Sequence, residues 1–448
     1  LLGDSAFQKC SSLKDVQLPK TIDHLGEKVF ARTPFQEETH GNFVLDGTVL
    51  IEYLGKEQRV TIPDGVTEIA SGAFMDFKNL RELTIPDSVI KIGKRAFVPA
   101  YDLDENRFSL HTLQLGNGVR TIGAEAFSDN NKMQKITFGS ALEEIGSCAF
   151  ECNKSIKEVM LDQTRLMRLG DKAFYNCESL KKLTLPETLL HIGDSAFKGC
   201  SQLDPFELPA QLQYIGRDAF RDAAIDVVRL PKTMMRVERS AFAGARELIV
   251  YDNIEPDAVE ADQWNFDSLN GTINAPFACA LISIWSKSAD NIGSTDWKGF
   301  HITVLSAQTD QVKYRIYCDG SEHHEYLALM FSAWGRYASF KFLEYDNFFG
   351  KLSNATTRIE TAFCRLQFPF GLAAHHREEY ETYLQQATYF QTNATLVAEA
   401  IADKDEVERL QMLLDLRALS QRNTDWLMSI FQEAKATKCI NLLQQSKI

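Results

Sequence analysis

Thiols and imidazoles are the side chains of this sequence with the widest chemical reach. Cys148, Cys152, Cys177 and Cys200 follow one another along the middle of the chain, and clustered thiols can hold a soft metal or exchange a disulfide. His323, His324 and Glu325 form one run and His375 and His376 another, and paired histidines ligate zinc where both reach one ion. A thiol beside an imidazole base, Cys318 or Cys364 with His323 or His375, would make a nucleophile. A plainer reading stands beside each. Neighbouring residues on a helix point in different directions, so the paired histidines read as surface residues. Cys177 and Cys200 share one place in a repeat with Cys10, which makes them a ladder of small buried hydrophobes. The chain has no GxxxxGK[ST] loop, no GxGxxG, no HExxH and no CxxC. The expectation is a non-enzyme with no catalytic residue, no cofactor and no metal.

The elements that carry these residues come from self-similarity. Phe174, Cys177, Leu180, Leu183, Leu185, Pro186, Leu189, Ile192, Gly193 and Ala196 lead to Phe197, and every apolar position then recurs 23 residues later up to Phe220. The terminal Phe of each unit stands at 7, 30, 74, 97, 127, 150, 174, 197, 220 and 242. A degenerate unit (Phe43, Val44, Val49, Ile51) fills the gap after Phe30, and an insertion around 98–106 lengthens the unit that ends at Phe127. Both are expected as loops or hairpins on one side. Leu180-x-x-Leu183-x-Leu185 has the period of a short strand, which proline stops because it cannot donate to a ladder. A second extended piece, as at 66–69 and 189–192, leads through Gly to an Ala-Phe turn. No unit can bury its Leu, Ile and Phe alone. Stacked units share one apolar column, and about ten of them make a sheet ~45–50 Å long. The fold class is α+β: a right-handed solenoid of short strands and helical turns followed by a small all-helical C-terminal domain.

The bulk numbers agree. A 448-residue chain outgrows a single core. Its 44% hydrophobic and 24% charged residues are those of a folded protein. A net charge of -13 repels a phosphate backbone and excludes nucleic acid as partner. The longest nearly apolar stretch, 275–285, is too short to span a bilayer. Leu1 falls in the tail of a repeat, so the natural chain is expected to begin upstream. Nine cysteines, mostly at repeat positions, favour reduced thiols.

The units Ile85-Pro86-x-x-Val89-x-x-Ile92-Gly93-x-x-Ala96-Phe97 and Leu185-Pro186-x-x-Leu189-x-x-Ile192-Gly193-x-x-Ala196-Phe197-x-x-Cys200 resemble the repeat of the bacterial BspA-like leucine-rich-repeat proteins. The resemblance covers about 1–250. It implies a leucine-rich-repeat solenoid engaged in cell-surface adhesion or protein-ligand binding, on a surface or secreted protein. A cytoplasmic location stays open, because the start is truncated and the thiols look unpaired.

Alternation places Asp15, Gln17, Glu82, Thr84, Thr112, Gln114, Lys135, Thr137, Glu158, Met160, Lys182, Thr184, Glu207 and Arg229 on the outward side of the first strand, expected to line a concave face. This mixed-charge ribbon is the candidate site for a protein or glycan, although threonines there also suit a plain solvated ladder. The array is expected over 1–250, degenerate repeats and a cap over 251–318, with strands at 248–251, 302–305 and 312–317, and helices over 319–448. Those helices are placed at 326–334, 357–368, 375–390, 394–402, 406–416, 421–435 and 437–444, with Asn393 and Ser420 as N-caps. The tail resembles the helical region accompanying such repeats in some bacterial proteins, and its last helix pairs resemble ankyrin hairpins. Two rival roles remain: a hydrolase or signalling activity in the helical domain, or an array acting as a spacer.

Overall fold

The computed structural model describes residues 2–3, 5–17, 29–30, 33–37, 42–75, 77–99, 110–238, 240–251, 299–318, 342–369, 371–389 and 391–446. They fall into two compact units, divided between Ala245 and Arg246.

The first unit is the solenoid. Most coils carry two short strands, and the ladder that runs the length of the unit is made by the second. It is a ten-stranded sheet beginning with the antiparallel pair Phe43–Asp46 and Val49–Tyr53, which is the degenerate repeat folded as a hairpin around Gly47. It continues in parallel from Glu68–Ile69 to Arg236–Val237. Six of the first-strand pieces pair in two blocks instead. Arg59–Thr61, Glu82–Thr84, Thr112–Gln114 and Lys135–Thr137 form one, and Glu158–Met160 with Lys182–Thr184 the other. Residues 98–99 are described, while most of the insertion expected around 98–106 lies outside the described residues.

What fixes the coils is the phenylalanine column. Tyr53, Phe74, Phe97, Phe127, Phe150, Phe174, Phe197, Phe220 and Phe242 stack in sequence with ring centroids 4.6 to 5.5 Å apart. Tyr53 supplies the ring of the degenerate unit. Each Phe N–H also donates to the Ala carbonyl of the next coil, as Phe174 does to Ala196 at 2.8 Å. Two residues before each ring the backbone turns left-handed, at Cys148, Lys172, Ser195 and Asp218 among others. Such a residue costs roughly 1–2 kcal/mol without a glycine. The conformation is held because it aims the N–H at the next coil, as in Lys172 to Asp194 O at 2.7 Å. Glycine is required where coils touch: a Cβ on Gly170 would lie 2.5 Å from the Ser147 nitrogen.

A second ladder was only half visible in the sequence. Three residues after the ring, Cys177 Sγ donates to Phe150 O and Cys200 Sγ to Phe174 O, each at 3.4 Å. Asn153 and Asn130 fill the same slot and donate to Phe127 O at 3.0 Å and Phe97 O at 3.0 Å. In these four coils the slot holds a short donor for a buried carbonyl, cysteine or asparagine. Cys10, in the equivalent place near the start, is exposed.

The second unit holds three of the strands expected between 248 and 317, together with the helices. Glu247–Tyr251 pairs in parallel with Phe300–Leu305, which pairs antiparallel with Val312–Cys318. One short helix belongs to the first unit, α1 (Pro34–Glu37). In the second unit come α2 (Phe342–Phe348), α3 (Ala355–Gln367), α4 (Ala374–Tyr389), α5 (Gln391–Ala402), α6 (Val407–Asp415), α7 (Gln421–Glu433) and α8 (Thr437–Gln445). The helix expected at 326–334 lies outside the described residues. α2 was not foreseen, because Asp346 and Asn347 are weak helix formers.

Asn393 is not a cap: α5 starts at Gln391 and encloses it. Ser420 stands at the N-cap of α7 without a side-chain capping bond, whereas Asn354 caps α3 by accepting from Thr357 N at 3.2 Å. The pairs α5–α6 and α7–α8 repeat at an offset of 30 residues: Val397 and Leu427, Ile401 and Phe431, Leu413 and Leu443 are buried equivalents, and Asp405 and Lys435 are both left-handed. Asp405 caps the start of α8, accepting from Lys438 N at 2.9 Å and Cys439 N at 2.8 Å.

Candidate functional site

On the solenoid the first strands alternate as their sequence dictates. Glu82, Gln114, Lys135, Thr137, Glu158, Met160, Lys182 and Arg229 are exposed, and Thr84, Thr112 and Thr184 are half-buried. Parallel register aligns them coil to coil: Glu82 with Thr112 and Lys135, Thr84 with Gln114 and Thr137, Glu158 with Lys182, and Met160 with Thr184. Arg59 and Thr61, which the outward set omits, extend the rows in register with Glu82 and Thr84. Their signal is the inward pair Val60 and Ile62. Glu207 is exposed but sits on no strand, and this corrects its expected place in a ladder. Pro205 and Pro209 flank it, so two N–H donors of that stretch are missing. Asp15 and Gln17 are exposed and likewise lie outside a strand.

Ion pairs cross these rows, Arg59 to Glu82 at 3.1 Å and Lys182 to Glu158 at 3.2 Å. Exposed pairs of this sort contribute ~0–1 kcal/mol, so they order the ribbon more than they stabilise the fold. Thr184 Oγ1 donates to Asp162 at 2.7 Å. Met160 is 44% exposed, an apolar side chain within a polar row. The opposite ladder carries a feature that alternation alone did not single out. Ile90, Met167, Leu190 and Met235 occupy one slot, just before the second strand, in four of the repeats, and all are exposed. Their signal in the sequence is an apolar residue two places ahead of the inward Ile, Leu or Val.

In the second unit the structure assembles a group that no spacing announced. His301, on the Phe300–Leu305 strand, meets Glu360 and Cys364, one turn apart on α3, with ligand atoms within 4.8 Å of one another. His301 Nε2 lies 3.0 Å from Glu360 Oε2. Arg409 Nη1 donates to Glu360 Oε1 at 3.1 Å, and Arg409 Nη2 forms an ion pair with Glu360 Oε2 at 2.9 Å. The chain of charges continues from Arg409 to Glu406 at 2.7 Å, to Arg315 at 3.4 Å, and to Glu247 at 3.3 Å, which also takes Lys404 at 2.7 Å.

Burial would raise the Glu360 carboxyl, but Arg409 and the His301 bond hold it down to about 2. Burial lowers His301 below its usual value against the pull of Glu360. Burial also pushes the Cys364 thiol up to about 12. A thiol held protonated is neither a nucleophile nor a ready metal ligand, and a cation would compete with Arg409 for the carboxylate. The cluster reads as a buried charge network with every carboxylate paired.

Among the described residues, Cys364 meets His301. The rings of His375 and His376 are 4.0 Å apart, and His376 Nδ1 faces Glu379 at 3.3 Å. His323, His324 and Glu325 lie outside the described residues. Cys148 and Cys152 occupy left-handed turn positions, and burial, with Glu151 nearby, pushes the Cys148 thiol up to about 12. A groove of about 500 Å³ in the helical unit is lined by Gln411, Leu414, Arg417, Leu419, Leu442, Gln445 and Ser446, whose hydroxyl donates to Leu443 O at 2.7 Å. No described helix is long and apolar enough to cross a membrane.

Comparison with known proteins gives one family. The BspA type leucine rich repeat region matches in six copies, over residues 1–44, 52–164 and 120–249. No curated protein matches the chain. Among solved structures, the chain is similar to a leucine-rich-repeat protein of T. pallidum at 26% identity, covering 39% of this chain and 80% of that one, with a TM-score of 0.33. It is similar to a leucine rich cell surface protein of Faecalibacterium prausnitzii at 25% identity over 48% and 70%, TM-score 0.36. It is similar to the pneumococcal vaccine antigen PcpA at 21% identity over 48% and 82%, TM-score 0.22.

Proposed function

This chain belongs to the BspA-type leucine-rich-repeat family, and on that premise we propose that it is a non-enzymatic protein-binding scaffold whose contact surface is the ribbon of first-strand side chains. The observation that carries this reading is the register. Residues 59–61, 82–84, 112–114 and 135–137 in one block, and 158–160 and 182–184 in the next, hold side chains in straight rows on successive coils. A rigid row of exposed groups loses little entropy when a partner settles on it. Display on a bacterial surface, with adhesion as its purpose and the ribbon as a concave face, is the form of the proposal that the family suggests.

The test uses the full chain immobilised against host and bacterial extracts, with retained proteins quantified by mass spectrometry. Thr137→Arg with Met160→Arg places two large charged groups on the ribbon, and Glu144→Arg places one on the opposite ladder. Capture is expected to fall about tenfold, or 1.4 kcal/mol, for the ribbon pair and to stay for the ladder variant. Equal capture by all three proteins, or loss with Glu144→Arg alone, overturns the ribbon as contact surface.

A further inference from the structure

Lysines gather on part of the ribbon and at its edge, where Lys157 and Lys181 directly precede the strands Glu158–Met160 and Lys182–Thr184. The chain carries a net charge of -13, yet Lys135, Lys157, Lys181 and Lys182 are exposed on three successive coils. Lys182 pairs with Glu158. Among the described residues, the ammonium groups of Lys135, Lys157 and Lys181 have no hydrogen-bond or ion-pair partner. Lys157 and Lys181 are neighbours: Lys181 N donates to Lys157 O at 2.9 Å, and the next residues, Glu158 and Lys182, are in register.

Two like charges side by side repel, by about 1 kcal/mol at 4 Å in water and less with salt. Nothing in the fold is gained in return. Several other cations of the array do stand beside acids, Arg59 with Glu82, Lys91 with Glu68, Lys154 with Glu178 and Lys198 with Asp218. Met160 lies in the same pair of coils, its side chain exposed and in register with Thr184.

We propose that this lysine cluster, with Met160 beside it, is a docking site for an acidic protein segment that carries an apolar side chain among its carboxylates. The inference rests on the ribbon being the contact surface. Carboxylates of the partner complete the pairs that Lys135, Lys157 and Lys181 lack, and the apolar side chain covers Met160. The overall negative charge does not forbid this: the Debye length is about 8 Å at physiological salt, so a bound segment feels the lysines and little of the remainder. The exposed thioether favours a peptide over a purely polyanionic glycan.

The test measures fluorescence anisotropy of a labelled peptide of repeated Glu-Glu-Leu with the full chain, beside a Lys-Lys-Leu peptide and heparin. Expected are salt-sensitive binding of Glu-Glu-Leu, no binding of Lys-Lys-Leu, and about a tenfold loss in Lys157→Glu with Lys181→Glu. Lys91→Glu, on the opposite ladder, should stay within about twofold. Melting temperatures confirm that the variants fold. No binding of Glu-Glu-Leu, equal binding by the double variant, or heparin binding in its place overturns the acidic-segment inference. If that happens while the Thr137→Arg and Met160→Arg pair still abolishes capture from extracts, the ribbon stands and only its partner chemistry was wrong. If capture also survives that pair, both readings fail.

Discussion

Replacing Phe174 by Ala tests the packing on which the solenoid depends. Its ring is fully buried, with centroids 5.1 Å from Phe150 and 5.5 Å from Phe197 and planes within 3° of parallel. Truncating a buried Phe costs about 3–5 kcal/mol, and the two ring contacts place this site near the top of that range, at about 5. The coil cannot collapse to fill the void, because Lys172 N and Phe174 N are bound to Asp194 O and Ala196 O and hold its backbone in place. Against a typical stability of 5–15 kcal/mol the array would lose a large share. Hydrogen exchange read by mass spectrometry should show protection falling in the coils of Phe150 and Phe197 as well as in that of Phe174, since each coil is stabilised by its neighbours. Met160→Ala on the ribbon is the matched control and should cost under ~0.5 kcal/mol. A loss below about 1.5 kcal/mol for Phe174→Ala, or a loss of protection confined to its own coil, would refute the shared column.

Asn153→Ala should cost about 0.5–1.5 kcal/mol by removing one of the two side-chain donors to the buried Phe127 carbonyl, which keeps Asn130 Nδ2 at 3.1 Å, whereas Asn153→Cys should cost less in urea titrations, because Cys177 already fills that slot one coil on. Gly170→Ala, forcing a methyl to 2.5 Å from the Ser147 nitrogen, should lower the melting transition of the array by about 1–3 kcal/mol. In the helical unit, Glu360 titrates at about 2 when folded against 4.5 for the free group. Its contribution is therefore present above pH 4.5 and lost as pH falls toward 2; the gap, at about 1.36 kcal/mol per pH unit, makes it about 3 kcal/mol. His301, lowered from 6.5 by burial, adds a loss of the same sign below pH 6.5, because the unfolded chain takes up its proton first. Exchange rates of α3 and α6 across this range should follow that course in the native protein and flatten between pH 4.5 and 2 in Glu360→Gln.

Repeated short-range pattern made the array legible before any coordinates. The spacing of Phe150, Phe174 and Phe197, the alternation at Leu180, Leu183 and Leu185, and the proline stops each depend on a residue's own neighbours and recur in every coil. The outward residues from Glu82 to Thr184 followed from the same period of two. Coil-to-coil chemistry was harder to see. Asn153 and Cys177 share a slot because both can donate to a carbonyl one coil away, and that equivalence is of hydrogen bonding, not of residue type. The interruption of the first-strand ladder before Glu158, and the absence of a strand around Glu207, depend on which N–H groups reach a partner.

The sequence by itself determined the solenoid, its column of rings and the identity of the exposed ribbon, because these follow from periodicity. Only the tertiary structure decided that His301, Glu360, Cys364 and Arg409 form one buried network and that Lys157 stands beside Lys181. Both facts arise from groups brought together across separate elements or successive coils, where burial and neighbouring charge, rather than chain spacing, set what a side chain can do.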